Sequence, residues 1–277
     1  MIYNKSLFSF ILAGVLLMSL PLQAKEQSEK IHVFVTIPPH AYFAQRIAGP
    51  NAAVDVLVSQ GSSPHSYEPS PKQIAGLAAA DIYFCAGIDF EKGLVPKLHS
   101  INKKLKIVDI RGGHADPHIW LSPGLAEMQA RMMADALCDI DKKRCSEYKN
   151  NLHSFLTDLA EVDNKIAKIL APFKGKSFYV FHPAFGYFAD AYGLKQVAVE
   201  VEGKAPRAQK LANIIDDAGR DGTKVIFVEP QSSAKSARVI ADAIGATLVQ
   251  IDPLARDYLK NLETIAETIK IGLKEKP

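Results

Sequence analysis

Short apolar runs alternate with amphipathic stretches along most of the chain. In the first half, runs rich in β-branched and aromatic residues predict four strands, at Ile31–Ile37, Val54–Val58, Ile82–Ala86 and Lys106–Ile110. The segments between them have the spacing of helices, at Pro39–Ala48, Pro71–Ala80 and Phe90–His99. Regular alternation of this kind is typical of a parallel sheet covered by helices.

The same alternation returns in the second half. Strands are predicted at Ser177–Phe181, Leu194–Val199, Lys224–Val228 and Thr247–Ile251, and helices at Arg207–Arg220, Ser233–Ile244 and Asp257–Leu273. Between the halves, a helix at Pro123–Leu137 precedes a long segment with apolar residues at helical spacing and no Gly or Pro before Pro172. We therefore expect an N-terminal α/β lobe at 25–142, a connecting helix at 143–171 and a C-terminal α/β lobe at 172–277.

The first 24 residues have the pattern of a cleavable secretory signal. Lys5 is the only charged residue before a short apolar run that ends at Leu20, and Ala24 stands at the expected cleavage site. The run is shorter than a spanning helix requires, so an uncleaved anchor is the weaker alternative. We expect a mature chain that begins near Lys25 and is located in the periplasm.

Charge and cysteine content narrow the function classes. The net charge of +3 falls to +2 when Lys5 is removed, which argues against nucleic acid as a partner. Cys85 lies in an apolar run and is expected to be a buried strand residue. Cys138 and Cys145 flank a polar turn and could form a disulfide in an oxidising compartment, but the sequence leaves this open.

Four polar residues follow predicted strands at the end where open parallel sheets bind ligands. His65 and His118 come after strands of the first half, and His182 and Asp252 after strands of the second. A single histidine at such a position is more often a packing or capping residue, so only the combination is informative. Three imidazoles and one carboxylate form a complete tetrahedral set for Zn²⁺.

Five sequence blocks resemble one family. These blocks are Pro64–Pro69, Asp116–Pro123, Phe181–Phe188, Val228–Gln231 and Ile251–Leu254. In this order they are similar to the signature blocks of the metal-binding proteins of ABC importers of the ZnuA/TroA type (cluster A-I). The resemblance implies two Rossmann-like lobes with parallel four-stranded sheets, bridged by one long rigid α-helix. It also implies capture of zinc or manganese for a membrane permease.

The resemblance assigns the metal ligands to His65, His118, His182 and Asp252. Members similar to manganese carriers commonly have Glu at the position of His182, so this histidine favours zinc and makes manganese the alternative cargo. His40 and Glu229 follow other strands and are candidates for supporting the ligand histidines from behind. Ahead of His118 this chain has only His114 and Asp116, where many zinc-type members have a long acidic, histidine-rich loop.

We therefore expect a monomeric periplasmic protein that captures Zn²⁺ and delivers it to an ABC permease. A manganese- or iron-binding protein of the same type is one alternative. A zinc-dependent hydrolase is another, but the chain lacks the His-Glu-x-x-His and Gly-x-Ser-x-Gly motifs of common hydrolase classes, so no enzyme activity is expected. A surface adhesin that uses metal for stability is a third possibility.

Overall fold

A computed structural model describes Met1 and residues 30–200, 206–232 and 234–274. Apart from Met1, the predicted signal peptide at 1–24 lies outside the described residues. None of the helices in the described ranges combines the length and the apolar character needed to cross a membrane.

The first half of the chain forms a parallel four-stranded sheet in the order β2-β1-β3-β4. The strands are β1 (Ile31–Val35), β2 (Ala52–Val56), β3 (Ile82–Cys85) and β4 (Lys106–Asp109), and the helices are α1 (Pro38–Ala48), α2 (Pro71–Ala78) and α3 (Asp89–Ile101). All four residues of β3 are buried, as expected for a central strand covered on both faces. The predicted strands of this half are present.

The second half repeats this topology, with a parallel sheet in the order β6-β5-β7-β8. Its strands are β5 (Ser177–Val180), β6 (Lys195–Ala198), β7 (Val225–Val228) and β8 (Thr247–Gln250). Its helices are α6 (Gly186–Tyr192), α7 (Ala208–Asp221), α8 (Ala234–Ile244) and α9 (Tyr258–Lys274). The predicted pair of parallel four-stranded sheets is confirmed, whereas the seven-residue helix α6 was not predicted.

Two long helices connect the sheets. Helix α4 (Pro123–Ile140) leads into α5 (Cys145–Leu170), whose 26 residues form the predicted connecting helix. One face of α5 is buried, with Leu152, Phe155, Leu159, Val162, Ile166 and Leu170 at spacings of three and four residues. This face packs against α1, α4 and α9, and its side chains join those of both sheets in one apolar core. The connecting helix is therefore a packed element rather than an exposed linker.

A second connection between the lobes runs through Trp120. Its indole Nε1 donates a hydrogen bond to the carbonyl oxygen of Pro253, at 2.8 Å, in the loop after β8. The hydroxyl of Tyr258, at the start of α9, donates to the carbonyl oxygen of Trp120 at 2.5 Å. Both hydrogen bonds are screened from water because Trp120 and Tyr258 are almost completely buried. These bonds fix the segment around Trp120 to the opposite lobe.

Cys138 and Cys145 form a disulfide, with their Cα atoms 4.5 Å apart. The bond closes the turn between α4 and α5, which contains the residues Lys142–Arg144 in a 3-10 turn. Cys85 is a free, buried thiol on β3, as the sequence predicts.

We expect the disulfide to stabilise the chain, because it restricts the unfolded state. The double variant Cys138→Ser/Cys145→Ser should lose about 2 kcal/mol of unfolding free energy, given the short loop that the bond closes. Urea denaturation measures the change. Reductant should lower the stability of the natural chain by a similar amount and leave the double variant unaffected. Equal midpoints for the two proteins would show that the bond contributes nothing.

Candidate metal centre

The three predicted ligand histidines lie on loops that leave the carboxyl ends of strands. His65 is in a 3-10 turn (Pro64–Ser66) in the loop after β2. His118 begins the turn His118–Leu121, which follows β4 and its loop. His182 comes two residues after the last residue of β5. The loops of both lobes face the same cleft, a cavity of about 680 Å³ that all three side chains line.

The three imidazoles converge in this cleft. One ring nitrogen of each histidine lies within 4.8 Å of one nitrogen of both others. The Nε2 atoms of His118 and His182 are 3.3 Å apart. Two nitrogens bound at 2.0–2.1 Å to a tetrahedral zinc ion are separated by about 3.3–3.4 Å. This pair is therefore already spaced as two zinc ligands.

A carboxylate contacts the Nδ1 atom of each ring in this pair. Asp116 Oδ1 lies 2.6 Å from His118 Nδ1 and also accepts a hydrogen bond from the backbone N–H of His118, at 3.0 Å. Glu200 Oε1 makes the equivalent contact with His182 Nδ1. An Nδ1–H that donates to a carboxylate leaves the lone pair on Nε2, directed into the cleft. In this tautomer, which the two carboxylates favour, both rings present the nitrogen that a metal ligand needs.

Sequence reasoning did not assign these carboxylates to the site. Glu200 follows β6 by two residues, so the strand-end rule that located His65 and His182 would also have found it. Asp116 was noted only as part of the short loop before His118. Its separation of two residues from His118, with Pro117 between them, is the signal that could have identified it.

His65 is the least constrained of the three histidines. Its ring centroid lies 4.7 Å from that of His182 and 5.6 Å from that of His118. Within the described ranges no carboxylate contacts its ring, and the residue is exposed at the mouth of the cleft. Two of the three imidazoles are therefore fixed by carboxylates, and the third imidazole lies on a more open loop.

The surroundings of the cluster lower the pKa values of two of its imidazoles, those of His65 and His118. Desolvation, followed by the proximity of the two other imidazoles, lowers the pKa of His65 to about 4. Burial also lowers the pKa of His118, although the hydrogen bond with Asp116 acts in the opposite direction. A cation that binds near neutral pH therefore displaces few protons from these two rings.

Asp252, the predicted fourth ligand, lies outside the three-histidine group. Its Oδ1 accepts hydrogen bonds from the backbone N–H of Leu254 and from Gln231 Nε2, both at 2.9 Å. Its carbonyl oxygen accepts a further bond from Asn261 Nδ2 at 2.7 Å. The carboxylate stabilises the turn that leads towards α9, because an aspartate before proline readily bonds to its own backbone.

The two residues predicted to support the ligands have different positions. Glu229 is buried and lines the cleft, where burial raises its pKa to about 7 and Ser232 Oγ donates to its Oε2 at 3.0 Å. His40 is buried in the core, 3.2 Å from Gln129 Nε2, and Trp120 contacts both its ring and that of His118. His40 thus lies in the core behind Trp120 and does not line the cleft.

Comparison with known proteins adds an independent finding. Residues 33–272 match the family model described as ZnuA, the periplasmic component A of a zinc-uptake complex. The high-affinity zinc uptake system protein ZnuA of Bacillus subtilis (strain 168) is 30% identical over 251 residues, which cover 80% of this chain and 78% of that protein.

Two further relatives extend the comparison. The zinc-binding protein AdcA of Streptococcus pyogenes serotype M3 is 28% identical over 89% of this chain, but the match spans only 57% of AdcA. This chain therefore corresponds to little more than half the length of that relative. A crystal structure of a ZnuA deletion mutant with zinc bound superposes with a TM-score of 0.85 at 38% identity, covering 90% of this chain and all of the other.

We expect Glu200→Gln to weaken zinc binding by about tenfold, because a neutral amide holds the Nδ1–H of His182 less firmly than a carboxylate. Competition with a chelating dye measures the affinity. Glu127→Gln is the matched control, since Glu127 pairs with Arg131 on the exposed face of α4. Equal zinc affinities for the two variants would show that Glu200 has no part in the site.

His40 should make the metal-free protein sensitive to acid. Burial lowers its pKa to about 3, so in acid the unfolded chain binds a proton at this residue that the folded chain does not. The stabilisation is complete above the ordinary histidine pKa and is lost as the pH falls towards 3. Between pH 7 and pH 5, the natural chain should lose about 2 kcal/mol more unfolding free energy than His40→Gln.

Urea denaturation of the metal-free proteins at several pH values measures this difference. His153→Gln is the control, because His153 is exposed on α5 and should leave the pH dependence unchanged. The same pH slope in His40→Gln and the natural chain would contradict the assignment.

Proposed function

The chain belongs to the ZnuA family of periplasmic zinc-uptake components, and from that premise we propose that it captures Zn²⁺ between its lobes for an ABC importer. The observation that carries the proposal is the separation of 3.3 Å between the Nε2 atoms of His118 and His182. His65 supplies the third nitrogen. Solvent occupies the remaining coordination position, and Asp252 supports the cleft wall through Gln231 rather than by binding the ion.

The chemistry of the ligand set supports zinc over manganese or iron. Three imidazole nitrogens suit a borderline cation, whereas Mn²⁺ prefers oxygen ligands. The charge also balances, because Asp116 and Glu200 together offset the two positive charges of the ion across neutral rings. Their placement behind the ligands leaves the coordination itself to nitrogen.

The function proposed is binding and transfer, without an enzymatic step. The family description, a component of an uptake complex, supports this reading over a zinc hydrolase. We propose that the protein is a monomer in the periplasm, with its lobes at 25–142 and 172–277 and its connecting helix at 143–171. Since α5 is packed along its buried face, release should depend on a permease that moves the loops or tilts the lobes slightly.

Competition calorimetry on the metal-stripped chain from Lys25 to Pro277 tests the proposal. We expect one tight zinc site and far weaker binding of Mn²⁺. A manganese affinity equal to or above that for zinc would show instead that the chain is a manganese carrier. The absence of a tight site for either ion would overturn it.

Single substitutions test the ligands. His118→Ala and His182→Ala should each weaken zinc binding at least a hundredfold, because each removes one of the two preoriented nitrogens. His65→Ala should weaken zinc binding less, since no carboxylate in the described part of the chain bonds to that ring. His153→Ala, on the exposed face of α5, should bind zinc as the natural chain does. An unchanged affinity in His182→Ala would show that the site has been assigned to the wrong residues.

A further inference from the structure

The segment before His118 has little support from its own backbone. It runs from Arg111 to Pro117, and its internal backbone bond joins the His114 N–H to the Arg111 carbonyl oxygen at 3.2 Å. Gly113 has φ 86°, a conformation that other residues rarely adopt. Yet this segment must hold Asp116 against His118 Nδ1. Its position therefore depends on contacts from elsewhere in the fold.

The opposite lobe supplies such contacts at the start of α6. The ring of Tyr187 packs edge-on against His114, with centroids 5.5 Å apart, and the phenol oxygen lies 3.4 Å from His114 Nδ1. The preceding residue, Gly186, is so close to the segment that a Cβ atom there would lie 3.9 Å from Asp116 Oδ2. Tyr187 thus contacts His114, and Gly186 lies next to Asp116.

Helix α6 also belongs to the chain segment that carries His182, since Gly186 follows this ligand by four residues. The turn His118–Leu121 packs against α6 directly. One short helix therefore connects the two segments that present the paired Nε2 atoms. Both His114 and Tyr187 are half-buried, so the contact between them is partly shielded from water.

We propose that Tyr187 is a positioning residue for metal binding, which acts through His114 and Asp116 to hold His118 in its binding orientation. The contact joins the lobes at the edge of the cleft, apart from the bond between Trp120 and Pro253. It resists separation of His118 from His182, and a bound ion leaves only when that separation occurs. Tyr187 therefore governs the dissociation rate more than the association rate.

The inference rests on the proposed zinc capture. If the natural chain fails to bind Zn²⁺, the proposed function fails. If the natural chain binds Zn²⁺ and the variants below behave like it, only the role of Tyr187 fails. The measurement is stopped-flow kinetics, with Zn²⁺ mixed for association and an excess of chelator for dissociation.

We expect Tyr187→Phe to raise the zinc dissociation rate about fivefold, because the variant loses one hydrogen bond. The association rate should stay within about twofold of that of the natural chain. His114→Ala should give a similar increase. The double variant should dissociate no faster than either single variant, because both changes break the same contact. Tyr179→Phe is the control, since Tyr179 bonds to Asp221 at the far end of the sheet.

The Tyr187→Phe substitution in an Asp116→Asn variant distinguishes a positioning role of Tyr187 from a general loss of stability. There the link between the segment and His118 is already weakened, so adding Tyr187→Phe should change the dissociation rate by less than about twofold. A full fivefold effect in that background would overturn the proposal, as would a Tyr187→Phe variant that lowers the urea midpoint without changing dissociation. A His114→Ala change that weakens zinc binding further in the Tyr187→Phe variant would show instead that His114 binds the ion.

Discussion

The imidazole rings of His118 and His182 come from different lobes, yet their Nε2 atoms lie 3.3 Å apart. A displacement of one lobe by an ångström would remove the spacing that a tetrahedral ion requires. The rest of the fold can be understood from this constraint. The buried face of α5 joins the two sheets in one core, and the bond from Trp120 to Pro253 fixes the cleft near His118. The rigidity of the fold holds two nitrogen atoms from different lobes at a spacing at which both can bind one ion.

The electrostatic design follows from the same geometry. Neutral imidazoles can be packed closely in a partly desolvated cleft, whereas three positive rings could not, and the pKa values of His65 and His118 are lowered there. The carboxylates Asp116 and Glu200 contact the far nitrogens of the His118 and His182 rings, where they orient these rings. Negative charge is therefore available to balance a cation without offering oxygen atoms to it directly. The separation between binding atoms and balancing charge is a simple way to favour a nitrogen-seeking ion.

The sequence predicted the two sheets because fully covered parallel strands are continuous apolar runs, which few other elements resemble. It predicted the three histidines because carboxyl ends of strands converge in space even when they are far apart in the chain. Helix α6 was missed because seven residues contain too few turns to show a helical period. The direction of the Asp252 carboxylate could not be predicted, since a turn before proline uses an aspartate equally well for its own backbone. The disulfide could not be predicted with certainty, because it depends on the distance between two helix ends, which no local sequence pattern determines.

Trp120 has a consequence of a different kind. It is the only tryptophan among the 277 residues, and it lies with its ring 5.3 Å from that of His118 and its N–H bonded to the opposite lobe. Indole fluorescence responds to the charge of neighbouring groups and to hydrogen bonding at the ring nitrogen. The tryptophan emission of this protein therefore comes from one place, the boundary between the lobes beside the histidine cluster. The natural chain carries its own optical probe of that boundary, without any label.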